Sequence, residues 1–322
     1  MRILITGGAG AIGRECTAQF LAAGHRVVVL DLRAMGLPAV RGLVRVQGNI
    51  LNAADRARSL RGVDGVVHLA AVSRVQEAEE DPKAAERTNV SGTERIIEDA
   101  ARLASPPWFV HASSREVYGE PRAIPVAESV KVRPFNIYGR TKAQSELVVE
   151  AVSVRRGMRA TILRFANVYG STYDRPRRVI PSFVRRALRN EELMVYDGRK
   201  LFDFVYVRDA GRAVVAASRH VRREPDGALL TANVATGTGT RLQELASMII
   251  AQAGSRAGLN ERPAMAFDVR RFVGDPSLAK RRLGFACETA IQDGLRKTVA
   301  AFRRPPGARS RPAGRRRLVA GW

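Results

Sequence analysis

A glycine turn set between an apolar run and an amphipathic segment constrains this chain more than any other feature. Residues 2–5 (RILI) form a short apolar run. Thr6-Gly7-Gly8-Ala9-Gly10-Ala11-Ile12-Gly13 follows, then a helical pattern over 12–23, Gly24, and a second apolar run at 27–30. Strand, turn, helix and strand within about thirty residues is the βαβ unit of a parallel sheet. The spacing Gly7-x-x-Gly10-x-x-Gly13 allows a tight turn and close backbone approach to a pyrophosphate at a helix N-terminus. Gly13 lets the helix lie close on the strand. Asp31 ends the second run, where a carboxylate accepts hydrogen bonds from the adenosine ribose 2′-hydroxyl and repels a 2′-phosphate. NAD is therefore expected rather than NADP, although Arg33 nearby pulls the other way.

The alternation continues with apolar strands at 66–70, 108–112 and 160–165 and helical patterns at 80–103 and 142–156. Short apolar runs separated by helices imply a sheet covered on both faces, the doubly wound α/β architecture. The rhythm weakens after Gly170. Residues 171–202 and 237–290 read as a smaller α/β substrate-binding cap, with helices at 182–190 and 241–253 and a strand at 193–196. The Rossmann domain, residues 1–170, is expected to be rejoined by about 203–236, through strands at 204–207 and 229–234 and a helix at 212–218.

Composition bounds the partners. Lys and Arg total 54 against 31 Asp and Glu, a net charge of +23 carried mostly by arginine. Such a surplus favours anionic partners such as nucleotides, and solvated surface arginine explains it equally well. From Arg303 the chain is Pro, Gly and Arg, a composition expected to stay a disordered basic tail over 303–322. No run of about 18 apolar residues spans a membrane. The first strand begins directly after Met1, leaving no signal-like stretch before it, so a cytoplasmic location is expected. Cys16 and Cys287 belong to no metal-ligand spacing, and no metal is expected.

Tyr138-Gly-Arg-Thr-Lys142 places a tyrosine and a lysine one helical turn apart, on one face. A free phenol, with a pKa of about 10, is a poor base near neutrality. An ammonium beside it stabilises the phenolate, which can then take a hydroxyl proton. Ser114, just after the strand at 108–112, supplies a third group for the same hydroxyl.

With these residues in place, the chain closely resembles the extended short-chain dehydrogenase/reductase family, in particular its NAD-dependent nucleotide-sugar epimerase and dehydratase branch, including UDP-glucose 4-epimerase-like members. The matching motifs run in order: TGGAGAIG (6–13), HLAA (68–71), TNVSGT (88–93), SSREVYG (113–119), YGRTK (138–142), RFANVYG (164–170), VIPSFV (179–184), DFVYVRDA (203–210) and FDVRRFVGDPSLAKRRLGF (267–285). The resemblance implies that Gly7, Gly10, Ala11, Ile12, Gly13 and Asp31 bind the dinucleotide. Asn49 and Ile50 stand where the family usually has Asp-Ile or Asp-Val at the adenine. It implies too that Ala70 and Ala71 line the cofactor, with Asn89 near it. Ser114 and Tyr138 match the catalytic hydroxyls, Lys142 the tyrosine activator and nicotinamide-ribose ligand, and Asn167 a residue holding the substrate's phosphates. His68 reads as structural.

Three departures bear on the reaction. Glu116 holds the place of a working acid in dehydratases and decarboxylases. Arg115 stands where one dehydratase type has a second acid, which disfavours a dehydratase. Phe202 and Met265 each replace an arginine that commonly grips phosphate. Arg199 or Lys200 can substitute for the first, and Arg262, Arg270 or Arg271 for the second. The reading that results is an epimerase at C4 of a UDP-hexose, acting through a 4-keto sugar with NAD retained. A reductase or decarboxylase with the same residues, and a non-catalytic nucleotide-sensing or RNA-associated protein, remain alternatives. The intact Ser114, Tyr138 and Lys142 argue against the last, and nucleic acid is not an expected partner. The resemblance implies a homodimer, paired through the Tyr138 helix and the one before it.

Overall fold

The structure is a computed structural model that describes residues 1–264 and 269–304. Its strands are β1 (Arg2–Thr6), β2 (Arg26–Asp31), β3 (Leu43–Gln47), β4 (Gly65–His68), β5 (Trp108–Ser114), β6 (Ala160–Phe165), β7 (Asn167–Tyr169), β8 (Leu193–Tyr196), β9 (Leu201–Tyr206), β10 (Leu229–Val234), β11 (Gly239–Arg241), β12 (Leu259–Arg262) and β13 (Arg271–Phe272). A parallel seven-stranded sheet takes the order β10-β6-β5-β4-β1-β2-β3. The order reverses at β1, between β2 and β4, where the doubly wound fold opens a crevice at the carboxyl ends of its strands.

The near-continuous apolar strands follow from burial on both faces. Side chains alternate across the sheet, so Ile3, Ile5, Val27, Val29, Val67 and Val110 enter one core while Leu4, Val28, Leu30, Val66 and Phe109 enter the other. Edge strand β3 gave a weak signal in the sequence because Arg45 interrupts its apolar residues.

The helical pattern at 80–103 is divided. Helices Val75–Glu80 and Pro82–Glu86 flank Asp81, a π-turn covers Arg87–Ser91, and a helix resumes at Gly92–Ala101. Asp81 accepts from the Ala84 N–H at 2.9 Å and Pro82 offers no N–H, so a new helix starts there. The Tyr138 helix starts earlier than its pattern suggested, at Ile137, because Asn136 accepts from the Gly139 N–H at 2.8 Å.

Residues 203–236 also divide. The apolar run at 204–207 does not join the main sheet. It lies in β9, which pairs with β7, β11 and β13 in a smaller sheet. The helix Val207–Val221 then packs on the first helix, with Gln19 donating to the Arg208 carbonyl at 3.0 Å, and β10 completes the main sheet beside β6. An apolar run carries no information on which sheet it enters, which is why β9 was misplaced. β8 and β12 form a separate parallel pair.

Asp203 joins these layers. Fully buried, it accepts from the Thr236 N–H (3.0 Å), the Thr236 hydroxyl (2.7 Å), the Gly237 N–H (3.0 Å) and the Gly274 N–H (3.4 Å). Met265 and most of the basic tail lie outside the described residues, apart from Arg303, which closes the helix Ile291–Arg303, and Arg304.

Candidate active site

The glycine turn is built for close approach. Gly7 has φ +69°, and a Cβ there would sit 2.7 Å from the Ala70 nitrogen; a Cβ on Gly13 would sit 2.4 Å from the Gly7 carbonyl oxygen. A Cβ on Gly10 would meet only that oxygen, at 3.2 Å, so the space above it is open. The helix Ala11–Ala22 starts there without a side-chain cap, leaving first-turn N–H groups for an anion. Asp31 spans the mouth of the turn, accepting from the Ala9 N–H at 3.0 Å and the Arg33 N–H at 2.8 Å. An uncapped helix end, an open glycine cradle and a carboxylate at the tip of β2 fit a dinucleotide with a free ribose hydroxyl pair.

A cavity of about 1050 Å³ runs from this turn into the smaller sheets. It is lined by Gly7, Gly10, Ala11, Ile12, Gly13, Asp31, Asn49, Ile50, Ala70 and Ala71 at one end, and by Ser114, Glu116, Tyr138, Lys142 and Asn167 further in. Asn49 is exposed, and its side-chain oxygen already accepts from the Leu51 N–H at 2.9 Å.

Two expected residues stand apart. Asn89 is fully buried. Its amide accepts from the Val72 N–H (2.8 Å) and donates to the Val72 carbonyl (3.1 Å) and the Thr141 hydroxyl (2.9 Å). These bonds brace the wall at 70–73 against the Tyr138 helix, and Asn89 is not among the residues that line the cavity. Arg271, half exposed, donates to the backbone carbonyls of Pro121 (3.3 Å) and Arg122 (2.7 Å) and is not among the residues that line the cavity. Lys200, in contrast, lines the cavity beside Phe202.

Burial raises the Tyr138 phenol above its ordinary pKa. Arg178, hydrogen bonding to Ser114, and Arg115 pull it down, while Glu116 pushes it up. The charge of Lys142 is not among the larger influences on the phenol. Its ammonium lies 3.3 Å from His111 Nε2, and burial lowers its pKa to about 8 against the pull of Glu146. The cation that most favours the phenolate is Arg178, which the sequence motifs did not single out. It donates to the Ser73 carbonyl at 2.8 Å and lies 3.5 Å from Asp174. The cluster Arg175, Arg177 and Arg178, just ahead of an apolar helix, was the available signal.

Ser114 accepts from the Glu116 N–H at 3.2 Å, which leaves its hydroxyl proton for another acceptor. Glu116 is clamped on both oxygens, by Arg115 Nη2 at 2.7 Å and by Asn136 Nδ2 at 2.8 Å. His68 sits behind the turn. Thr93 gives its proton to the Asn89 carbonyl (2.6 Å), so His68 Nε2–H donates to Thr93 (3.0 Å) and Nδ1 accepts from Thr6 (2.6 Å). Burial lowers the His68 pKa to about 3, so the ring is neutral and fully bonded.

The fold and this cavity define a dinucleotide-binding enzyme of the Rossmann type. Residues 3–235 match the NAD dependent epimerase/dehydratase family. The chain is 32% identical to a dTDP-glucose 4,6-dehydratase of Streptomyces griseus, over 93% of both chains. It is also 32% identical to a UDP-glucose 4-epimerase of Mycolicibacterium smegmatis, over 94% of this chain and 99% of that one. Among solved structures, MoeE5 in complex with UDP-glucuronic acid and NAD superposes with a TM-score of 0.87 at 31% identity, covering 94% of this chain and 99% of the other. The protein belongs to the NAD dependent epimerase/dehydratase family, within the extended short-chain dehydrogenases/reductases, and is an NAD-dependent enzyme of nucleotide-sugar chemistry.

Proposed function

We propose that the enzyme is a 4-epimerase of a UDP-linked hexose. The observation that carries this reading is the clamped Glu116. A dehydratase needs an acid free to expel a hydroxyl, and here the neighbouring position is Arg115 while both Glu116 oxygens are engaged as acceptors. Proton transfer is left to Tyr138, the one group beside Ser114 placed to exchange a hydroxyl proton.

In this reading the turn from Gly7 to Gly13 would hold the pyrophosphate of NAD, Asp31 the adenosine ribose, Asn49 and Ile50 the adenine, and Lys142 and Tyr138 the nicotinamide ribose. NAD supplies, when bound, an acceptor for the hydride of the sugar carbon and the means to return it. Tyr138 takes the proton of the sugar hydroxyl and gives it back after the keto sugar has turned over. Ser114 donates to the same oxygen, and Asn167 steadies the nucleotide's phosphates. Arg178 and Arg115 favour the phenolate. The cavity fixes the sugar so that proton transfer and oxidation coincide. Residues 171–202 and 237–290 serve as the cap, and Asn89 as a brace.

A homodimer in the cytoplasm completes the proposal. Leu147 and Val154, 65% and 72% exposed, lie two turns apart on the outer face of the Tyr138 helix, a stripe suited to a second copy. Among the described residues no helix is long and apolar enough to cross a membrane.

The deciding experiment incubates the protein with UDP-glucose, UDP-galactose, UDP-glucuronate and dTDP-glucose and identifies products by NMR. Epimers without added NADH, lost by at least about a thousandfold in Tyr138→Phe, are expected. A 4-keto-6-deoxy sugar, released CO₂ or net NADH consumption would overturn the reading.

A further inference from the structure

Arg115 is more than a departure from an acidic pattern. It follows Ser114 directly, lines the cavity with Ser114, Glu116 and Tyr138, and is more than nine-tenths buried. Its guanidinium lies over the Phe202 ring at 4.5 Å. One edge is fixed, with Nε donating to Asn167 at 3.0 Å and Nη2 paired with Glu116 at 2.7 Å. Its Nη1 finds no acceptor. A buried guanidinium nitrogen without an acceptor is unfavourable, so the site is complete once a ligand oxygen reaches it. Around Arg115 the cavity wall carries Arg178, Lys142 and Lys200 against Glu116 and Asp174. The reacting end of the cavity therefore has a positive charge to spare for an anion.

We propose that Arg115 is a specificity-determining residue that reads a carboxylate on the sugar carbon next to the one oxidised, making a nucleotide-linked hexuronate the preferred substrate. Arg115 adjoins Ser114 and lines the cavity with Tyr138, where the reacting carbon must lie, which favours the sugar; its side chain also touches Asn167, to which the reading above gives the phosphates, so the test includes UDP alone. Three held contacts fix the guanidinium plane, so the carboxylate meets an oriented donor and not a mobile charge. The inference rests on the nucleotide-sugar reading above, but not on epimerisation as the outcome.

The test is calorimetric titration of the NAD-loaded protein with UDP, UDP-glucose and UDP-glucuronate, for the native chain, Arg115→Gln and Arg115→Lys, with thermal melts as the folding control. The native protein is expected to bind UDP-glucuronate about tenfold or more tightly than UDP-glucose, as one added charge-assisted hydrogen bond implies. Arg115→Gln should erase that ratio while leaving the affinity for UDP within about threefold, and Arg115→Lys should keep part of it. Equal binding of the two sugars by the native protein would overturn the proposal, as would no binding of either. So would an Arg115→Gln variant that loses UDP as strongly as UDP-glucuronate, because Arg115 would then hold the diphosphate. If both variants fail to fold, the native ratio alone decides. A preserved ratio without epimer formation would sink the epimerase reading and leave this one standing.

Discussion

At Tyr138 burial and charge oppose each other, and the balance rests on Arg178. Removing that cation, as in Arg178→Gln, takes away the largest influence favouring the phenolate. A base works only when deprotonated, so activity falls as pH drops through its pKa. Raising the pKa moves that limb to higher pH. The pH profile of kcat/KM in Arg178→Gln should therefore shift upward. Lys142 carries the opposite tension. Its pKa falls from 10.5 to about 8 in the fold, so burial disfavours the charged form. Below pH 8 both folded and unfolded chains hold the proton, and the fold bears the whole penalty, about 3 kcal/mol. Between about 8 and 10.5 the folded lysine loses its proton first, and stability rises with pH. Lys142→Met should thus abolish turnover yet gain up to about 3 kcal/mol at pH 7 in urea unfolding of the cofactor-free protein, an advantage that shrinks toward pH 10.5.

The elements around the site were unevenly legible. The first βαβ unit announced itself because each of its parts demands a particular residue type: apolar on both faces of β1 and β2, glycine where helix meets strand, an acid at the strand tip. Replacing Gly13 by Ala tests that demand. A Cβ 2.4 Å from the Gly7 carbonyl must push helix and turn apart, and NAD affinity should fall by at least about tenfold in a fluorescence titration while the fold persists. The Ser114, Tyr138 and Lys142 set was equally visible, being local in sequence. What stayed hidden depends on contacts remote along the chain. Asn89 looked like a cofactor residue until its amide proved to be bonded to Val72 and Thr141. Arg271 looked like a phosphate ligand, but the carbonyls of Pro121 and Arg122 claim it. The proximity of Lys142 to His111 of β5 follows from the packing of its helix on the sheet and not from any motif. β9 belongs to the smaller sheet because of its pairing, which an apolar run does not encode.

At the scale of the whole molecule the same distinction applies to faces rather than single contacts. The exposed Leu147 and Val154 have no covering element in the described chain, and their stripe is the basis for the proposed dimer. Leu147→Glu combined with Val154→Glu should convert a dimeric mass in light scattering at micromolar concentration into a monomeric one, with NAD binding retained. A native chain already monomeric under those conditions would remove the proposal. The cavity itself has a fixed outline, and Asp203 explains why. One carboxylate, buried between layers, receives the backbone of Thr236 at the end of β10, Gly237 and Gly274 together. Parting the two sheets would strip three donors, the Thr236 N–H and hydroxyl and the Gly237 N–H, from a buried carboxylate, a costly step. Entry to the cavity would then resemble the use of a keyhole more than of a hinged door, governed by side chains at the rim and not by the layers swinging apart.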